Sequence, residues 1–227
     1  MAKLTWDNDG QRLYETGVDR AVLFPRSTTN GQYERGVAWN GLTKVSESPD
    51  GGDTTEKYAN NNTYLQLVAR ERFKGTISAF MYPEEWAECD GSAAPKNGNT
   101  PISGIRVSGQ TRKPFGLVYR TLIGNDTSGT DYGYQLHFVY AATASVSSRD
   151  YETVNDSPDA IEFSWSFSTT PVQIPNMRPS AYIAIDSTKC DKTKLGRLEE
   201  LIYGSTQADA RLPMPEEIFA IIGGRAG

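Results

Sequence analysis

The side chains best suited to chemistry in this chain are few and far apart. One histidine, His137, and two cysteines, Cys89 and Cys190, are all the imidazole and thiol it carries. A closed His/Cys zinc site takes about four ligands, so these residues cannot build one. A Ser-His-Asp triad would have to use His137. That residue lies among Leu136, Phe138 and Tyr140, in a strand-like run, so a structural role is expected rather than a general base. Glu84, Glu85 and Glu88 beside Trp86 have the types needed for a sugar-cleaving carboxylate pair near an aromatic platform. Nothing near them raises a carboxyl pKa, and the same residues serve equally as the first turn of a short solvated helix. Asp7-Asn8-Asp9-Gly10 begins like a calcium loop but lacks the later glycine and the closing glutamate, so a turn is expected. Asn61-Asn62-Thr63, Asn125-Asp126-Thr127 and Asn155-Asp156-Ser157 match the glycosylation sequon and are read as turn residues. Neither a phosphate-cradling Gly-x-x-x-x-Gly-Lys-Ser/Thr nor a Gly-x-Gly-x-x-Gly after a strand is present. Trp6, Trp39, Trp86 and Trp165, with the tyrosines, could line a sugar or base platform. Trp165 reads as core, and the other three stay open. No cofactor is implied.

Charge narrows the partners. The 227 residues carry 23 Lys and Arg against 28 Asp and Glu, a net charge of −5, with no basic run. An acidic chain of this kind is a poor phosphate binder. The two cysteines are expected to be free thiols in a reducing compartment. Met1 to Asp7 contains no apolar run of the kind an export signal needs, and no apolar stretch approaches the ~20 residues that span a bilayer. No membrane partner is expected.

The elements that must position these residues are mostly strands. With 21 Gly, 12 Pro and 12 Tyr, the composition favours a turn-rich β protein. The first 35 residues look irregular apart from a short apolar run at 21–24. Strand-like segments follow at 43–45, 54–58 and 64–69, broken by Ser48-Pro49-Asp50-Gly51-Gly52-Asp53 and by Asn60-Asn61-Asn62. Phe73, Gly75, Ile77 and Ala79 alternate with polar residues, as do Ile161, Phe163, Trp165 and Phe167 with Glu162, Ser164, Ser166 and Ser168. A period of two marks half-buried strands. A helix of one or two turns is expected over 83–89, closed by Gly91, then a polar loop over 94–101. Segments 115–123 and 134–143 should form a hairpin with a long tip, and 181–185 a further strand. Leu195, Leu198, Leu201 and Ile202 recur at helical spacing behind Asp191, a candidate N-cap. Pro215 opens a last short helix with Ile218, Ile221 and Ile222. The expected fold is mainly β, an antiparallel β-sandwich or barrel flanked by short helices. No linker or repeat divides residues 1–227.

Several stretches together resemble a known family. They include Tyr14-Glu15-Thr16-Gly17-Val18-Asp19, Gly36-Val37-Ala38-Trp39-Asn40-Gly41-Leu42-Thr43 and Ser46-Glu47-Ser48-Pro49. Next come Tyr82-Pro83-Glu84-Glu85-Trp86-Ala87-Glu88-Cys89-Asp90-Gly91, Gln110-Thr111-Arg112-Lys113 and Tyr119-Arg120-Thr121-Leu122-Ile123-Gly124-Asn125-Asp126. Asp156-Ser157-Pro158 and Asp186-Ser187-Thr188-Lys189 complete the set. In this order they resemble the major tail (tail tube) proteins of long-tailed, siphovirus-type bacteriophages and related prophages. The resemblance runs from about Trp6 to Ile222, and no single motif in it is diagnostic.

That resemblance implies a non-catalytic subunit of the virion tail, assembled in the host cytoplasm. Copies would form sixfold rings, stack them into a hollow tube and conduct double-stranded DNA without binding it. Tape-measure protein, tail terminator and distal tail protein are the further partners it implies. Rings would stack through an N-terminal arm, placed at 1–20, and a loop placed at 46–62. Ser48, Pro49, Asp50, Gly51, Gly52 and Asp53 form the turn of that loop. A conduit wall should repel phosphate within a Debye length of about 8 Å. Glu47, Glu56 and Glu71, on a hairpin expected to flank the 49–53 turn, are the lumen-facing candidates. The alternative is a non-catalytic carbohydrate- or peptide-binding β-sandwich that uses exposed aromatics.

Overall fold

The computed structural model describes residues 3–98, 100–153 and 159–224. The first half holds β1 (Leu13–Pro25), β2 (Val37–Ala38), β3 (Leu42–Glu47), β4 (Thr54–Ala59), β5 (Asn62–Val68) and β6 (Lys74–Ala79). Helix α1 (Trp86–Asp90) and four two-residue strands follow: β7 (Ser92–Ala93), β8 (Lys96–Asn97), β9 (Thr100–Pro101) and β10 (Val107–Ser108). The second half holds β11 (Phe115–Asn125), β12 (Gly129–Ala144), β13 (Phe163–Thr169), β14 (Tyr182–Asp186), α2 (Lys192–Tyr203) and α3 (Pro215–Gly223).

The main sheet runs β2-β1-β11-β12-β13-β6-β3, all antiparallel, with β14 also paired to β12. Strand β12 belongs to two layers. Its residues 135–139 pair with β14 and residues 142–144 with β13. Between them Ala141 takes a φ of 46°, the local bend that lets one strand change partners. The chain thus forms a sandwich, β1-β11-β12-β14 against β13-β6-β3, with α2 and α3 on the far side of the first layer.

Both faces of the first layer are buried, which explains the long apolar runs in β11 and β12. One face packs Leu23, Phe115, Leu117 and Val139 against Trp86, Trp165, Ile77 and Phe167. Trp39 and Trp165 lie with their ring centroids 4.7 and 5.4 Å from Trp86, tilted rather than stacked flat, as ring quadrupoles favour. The other face packs Val22, Phe24, Val118, Leu136, Phe138 and Tyr140 against Leu195, Leu198, Ile202 and Ile218 of the helices. Asp191 caps α2 by accepting from the N–H groups of Thr193 (2.9 Å) and Lys194 (3.0 Å). Pro215 occupies the first turn of α3, where its missing N–H costs no hydrogen bond. Lys194 Nζ donates to the Ile222 carbonyl at 3.0 Å and so ties the two helices together.

Local expectations are corrected at several points. The first 35 residues are not irregular, because β1 is thirteen residues long and pairs with β11 from Leu13↔Asn125 to Pro25↔Phe115. Register shifts on both sides of Asp19, with Gly17 and Arg20 at positive φ, break the period-two signal there. The 115–143 hairpin has a short tip, since its pairing extends to Asn125↔Gly129. Segment 94–101 is not wholly loop, as β8 and β9 pair within it. Finally, no hairpin flanks the 49–53 turn: β3 pairs with β6, and β4 pairs with β5. The helix over 83–89 begins three residues later, at Trp86, and Gly91 closes it in the left-handed conformation as expected.

Candidate assembly interface

The chain from β3 to β6 is one long antiparallel ribbon with a neck in its middle. Beyond the β3–β6 pairing, Ser48 N–H donates to the Lys74 carbonyl at 2.8 Å. Asp50 and Arg72 then exchange both backbone hydrogen bonds, at 2.9 and 2.6 Å. Ala69 N–H reaches the Asp53 carbonyl at 2.8 Å and starts the outer half. The neck is tight. A Cβ on Gly51, whose φ is +102°, would meet the Arg70 carbonyl oxygen at 2.5 Å. An ion pair between Lys74 and Asp50 crosses it, and with Lys74 as its largest influence the Asp50 carboxyl is held below the usual carboxylate range. Asn60 and Asn61, with φ of 50° and 61°, make the tip, in the doubly left-handed turn that closes hairpins without splaying them.

Every residue of β4 and β5 is exposed. Their register places Tyr58, Tyr64 and Val68 on one face with Glu56 and Gln66, and Leu65 and Leu67 on the other with Thr55 and Lys57. Tyr58 is 68% exposed, Tyr64 78% and Val68 66%. A two-stranded ribbon of this kind is marginal in water without a surface to rest on. The loop placed at 46–62 ends where β5 begins and so leaves out the apolar residues of that strand. The signal lay in the alternation of Tyr64, Leu65, Gln66, Leu67 and Val68, where apolar residues occupy both faces at once.

A second exposed apolar segment precedes β1. Leu4 is 74% exposed and Trp6 76%. The segment is anchored further on: Gly10 N–H donates to Asp126 Oδ1 at 3.0 Å, and Asn125 Nδ2 donates to the Gly10 carbonyl at 3.1 Å. The Gly10 N–H, more than the nearby Arg12 charge, lowers the Asp126 pKa. Of the 1–20 stretch read as an arm, residues 13–20 are paired within β1, so the part outside the sheet among the described residues is 3–12.

The lumen-facing candidates separate. Glu56 and Glu71 are exposed, on the outer ribbon and at the neck. Glu47, also exposed, pairs with Gly75 at the end of β3, and its carboxylate reaches toward the buried Tyr119 and His137. There Tyr119 Oη donates to it at 2.5 Å. His137 stacks on the Tyr119 ring at 4.5 Å, with Nδ1 2.7 Å from Tyr182 Oη and Nε2 2.8 Å from Thr121 Oγ1. The Glu47 oxygen lies 3.6 Å from Nδ1. Burial pushes the His137 pKa down, against the pull of Glu47. Burial, reinforced by Glu47, pushes the Tyr119 hydroxyl well above its usual value. The cluster joins β3, β11, β12 and β14 at the root of the ribbon.

The remaining chemical candidates are scattered. Glu84 and Glu85 face solvent, while Glu88 and Glu34 share Lys113 at 3.0 and 2.7 Å. Trp86, the supposed platform beside them, is fully buried, as is Trp165, and Trp39 is nearly so. Trp6 alone of the four tryptophans is open to solvent. Cys89 and Cys190 are free thiols, and burial pushes the Cys89 pKa up to about 12. Asn61 and Asn62 sit at the ribbon tip. Asn125 is buried and accepts from the Ser128 N–H at 2.5 Å, while Asn155 lies outside the described residues. Among the described residues, no group of three His, Cys, Asp or Glu could hold a metal ion. No described helix is long and apolar enough to cross a membrane.

No family profile and no curated protein matches the chain. Among solved structures, it is similar to a chain of the sheath–tube complex of PVC, an extracellular contractile injection system, in its extended state. Identity is 13% and the TM-score 0.34, covering 74% of this chain and 88% of that one. It is also similar to a chain of the sheath/tube terminator of that system, at 9% identity and TM-score 0.32, covering 81% and 99%. Scores at this level do not assign the chain to either protein's family.

Proposed function

We propose that this chain is a structural subunit of a bacteriophage tail tube, one tail-tube domain over residues 1–227 that joins in sixfold rings stacked into a hollow, DNA-conducting tube. The observation that carries the reading is the β4–β5 ribbon, which projects with aromatic and aliphatic side chains on both faces and buries none of them in its own chain. Exposed apolar surface on a flat two-stranded element is an aggregation hazard unless a defined partner covers it. A second copy is the partner a stacked tube supplies. The ribbon, including the 46–62 stretch, contacts the next ring, and residues 3–12, with Leu4 and Trp6, form the arm. The ordered sequence resemblance supports the same reading and brings the tape-measure, terminator and distal tail proteins with it as partners. An aromatic binding platform has little to stand on, because three of the four tryptophans are core.

The test is the double substitution Tyr64→Ser with Val68→Ser. The purified subunit should keep its thermal midpoint, since neither side chain touches the core. Tubes seen by electron microscopy in the parent protein should vanish or shorten severely. Normal tube yield from the double variant would overturn the assignment of the ribbon.

A further inference from the structure

The second layer of the sandwich has one face in the core and one face open, and the open face has a distinctive chemistry. Strand registers put Lys44, Ser78 and Ser164 in one row across it, and Ser46, Thr76 and Ser166 in the next. A third row holds Lys74, Ser168 and Thr143. Their alternating neighbours Ile77, Ala79, Trp165 and Phe167 are buried. Ser164, Ser166 and Ser168 are exposed, and Thr76 Oγ1 lies 3.3 Å from Ser166 Oγ. The rows carry two lysines: Lys74, which pairs with Asp50, and Lys44, which is exposed. None of the three rows carries an arginine or an aromatic ring.

We infer that this hydroxyl face of β3, β6 and β13 lines the lumen of the assembled tube and is the surface past which duplex DNA moves. The inference rests on the tube reading above and deepens it. Two features favour this face. First, β3 is the last strand of its sheet, so its outer edge leaves backbone donors and acceptors for a neighbouring copy to extend the layer. Second, the face carries little of what would hold a nucleic acid: two lysines, one of them already paired with Asp50, and no arginine or aromatic ring. Tight binding draws on lysine and arginine contacts to phosphate, with counterion release, and on aromatic stacking of bases. A serine hydroxyl offers a rotating donor and acceptor that water satisfies equally well, so each contact with a passing phosphate is nearly an even exchange. Transit is therefore permitted by weak, exchangeable contacts, with hydroxyls forming most of the wall. Glu47 shares the opposite face with Gly75, and Glu56 and Glu71 belong to the ribbon and its neck.

Cysteine accessibility tests the placement. In a Cys190→Ser background, where Cys89 is buried, Ser166→Cys and Ser164→Cys are made separately, with Glu200→Cys on exposed α2 as an outer control. Each is treated with a small maleimide and with a maleimide on a polymer too broad to enter the tube. The inference expects both reagents to label all three free subunits. In tubes, the broad reagent should label positions 164 and 166 at least tenfold more slowly than the small one, and position 200 at its free rate. Equal labelling by both reagents in intact tubes would overturn the inference while leaving the tube reading standing. Failure of the parent chain to form tubes would overturn that reading first. If one cysteine blocks assembly, the other still decides. The passenger is tested by Ser164→Lys with Ser166→Lys in whole particles. DNA ejection should slow several-fold at low salt and recover at high salt. Unchanged ejection, or a defect only in tube length, would point to the tape-measure protein as the occupant and overturn the DNA assignment.

Discussion

Protonating His137 is harder inside this fold than in water. The ring is buried between Tyr119 and Tyr182, and Glu47 is the one carboxylate whose attraction opposes that burial. Its folded pKa therefore lies below the usual histidine value of about 6.5. Between the folded and unfolded values, the unfolded chain binds more protons, so stability rises with pH across that window. The contribution is complete above about 6.5 and is lost as the pH falls toward the folded pKa. Urea midpoints measured from pH 8 to pH 5 should fall with acid, and His137→Gln should flatten that slope. An equal slope in the variant would assign the effect elsewhere. The strand setting of His137 was legible from Leu136, Phe138 and Tyr140. Its partners were not, because Glu47, Thr121 and Tyr182 come from three other strands and only the closed sheet brings them together.

At the scale of elements, the two halves of the β3–β6 ribbon make opposite predictions. Replacing residues 51–71 by Asn-Gly would close the Asp50–Arg72 pair with a two-residue turn. The excised part buries no side chain, so the thermal midpoint should shift by no more than a few degrees while tubes are lost. Calorimetry and negative-stain imaging check both halves of that statement. Gly75→Ala, on the inner half, should do the reverse. A Cβ there would meet the Ser46 carbonyl at 2.6 Å and the Phe167 ring at 2.7 Å. Overpacking of this kind costs about 1–3 kcal/mol, measurable by urea unfolding. The strands of both segments are legible, the inner from the alternation of Phe73, Ile77 and Ala79, the outer from the turn residues that bound 54–58 and 64–69. Their pairing was not legible. The 49–53 turn looked like a hairpin tip, but the backbone bonds between Asp50 and Arg72 make it one side of a neck. Turn residues show where a chain bends, and they do not say which strand it meets afterwards. Likewise β1 was hidden because bulges around Asp19 disrupt its alternation.

At the scale of the whole molecule, the mainly antiparallel β architecture with short helices follows from features visible in the sequence. Period-two runs feed the sandwich, and Leu195, Leu198 and Ile202 supply the helix stripe that covers its outer face. What sequence could not supply was the order β2-β1-β11-β12-β13-β6-β3, in which the first strand lies beside the eleventh. That order has a consequence in time. Asp19 and Arg120, joined across β1 and β11, are 101 residues apart in the chain, and Thr76 and Ser166 are 90 apart. A ribosome adds roughly 5–20 residues each second, so β1 waits about five seconds or more for its partner. In that interval the β4–β5 hairpin can already close from local contacts alone, which form within about ten microseconds. The newborn chain therefore displays its exposed apolar ribbon before it owns a core. Such a chain depends on its concentration staying low, or on a shielding partner, until the second half of the sheet arrives.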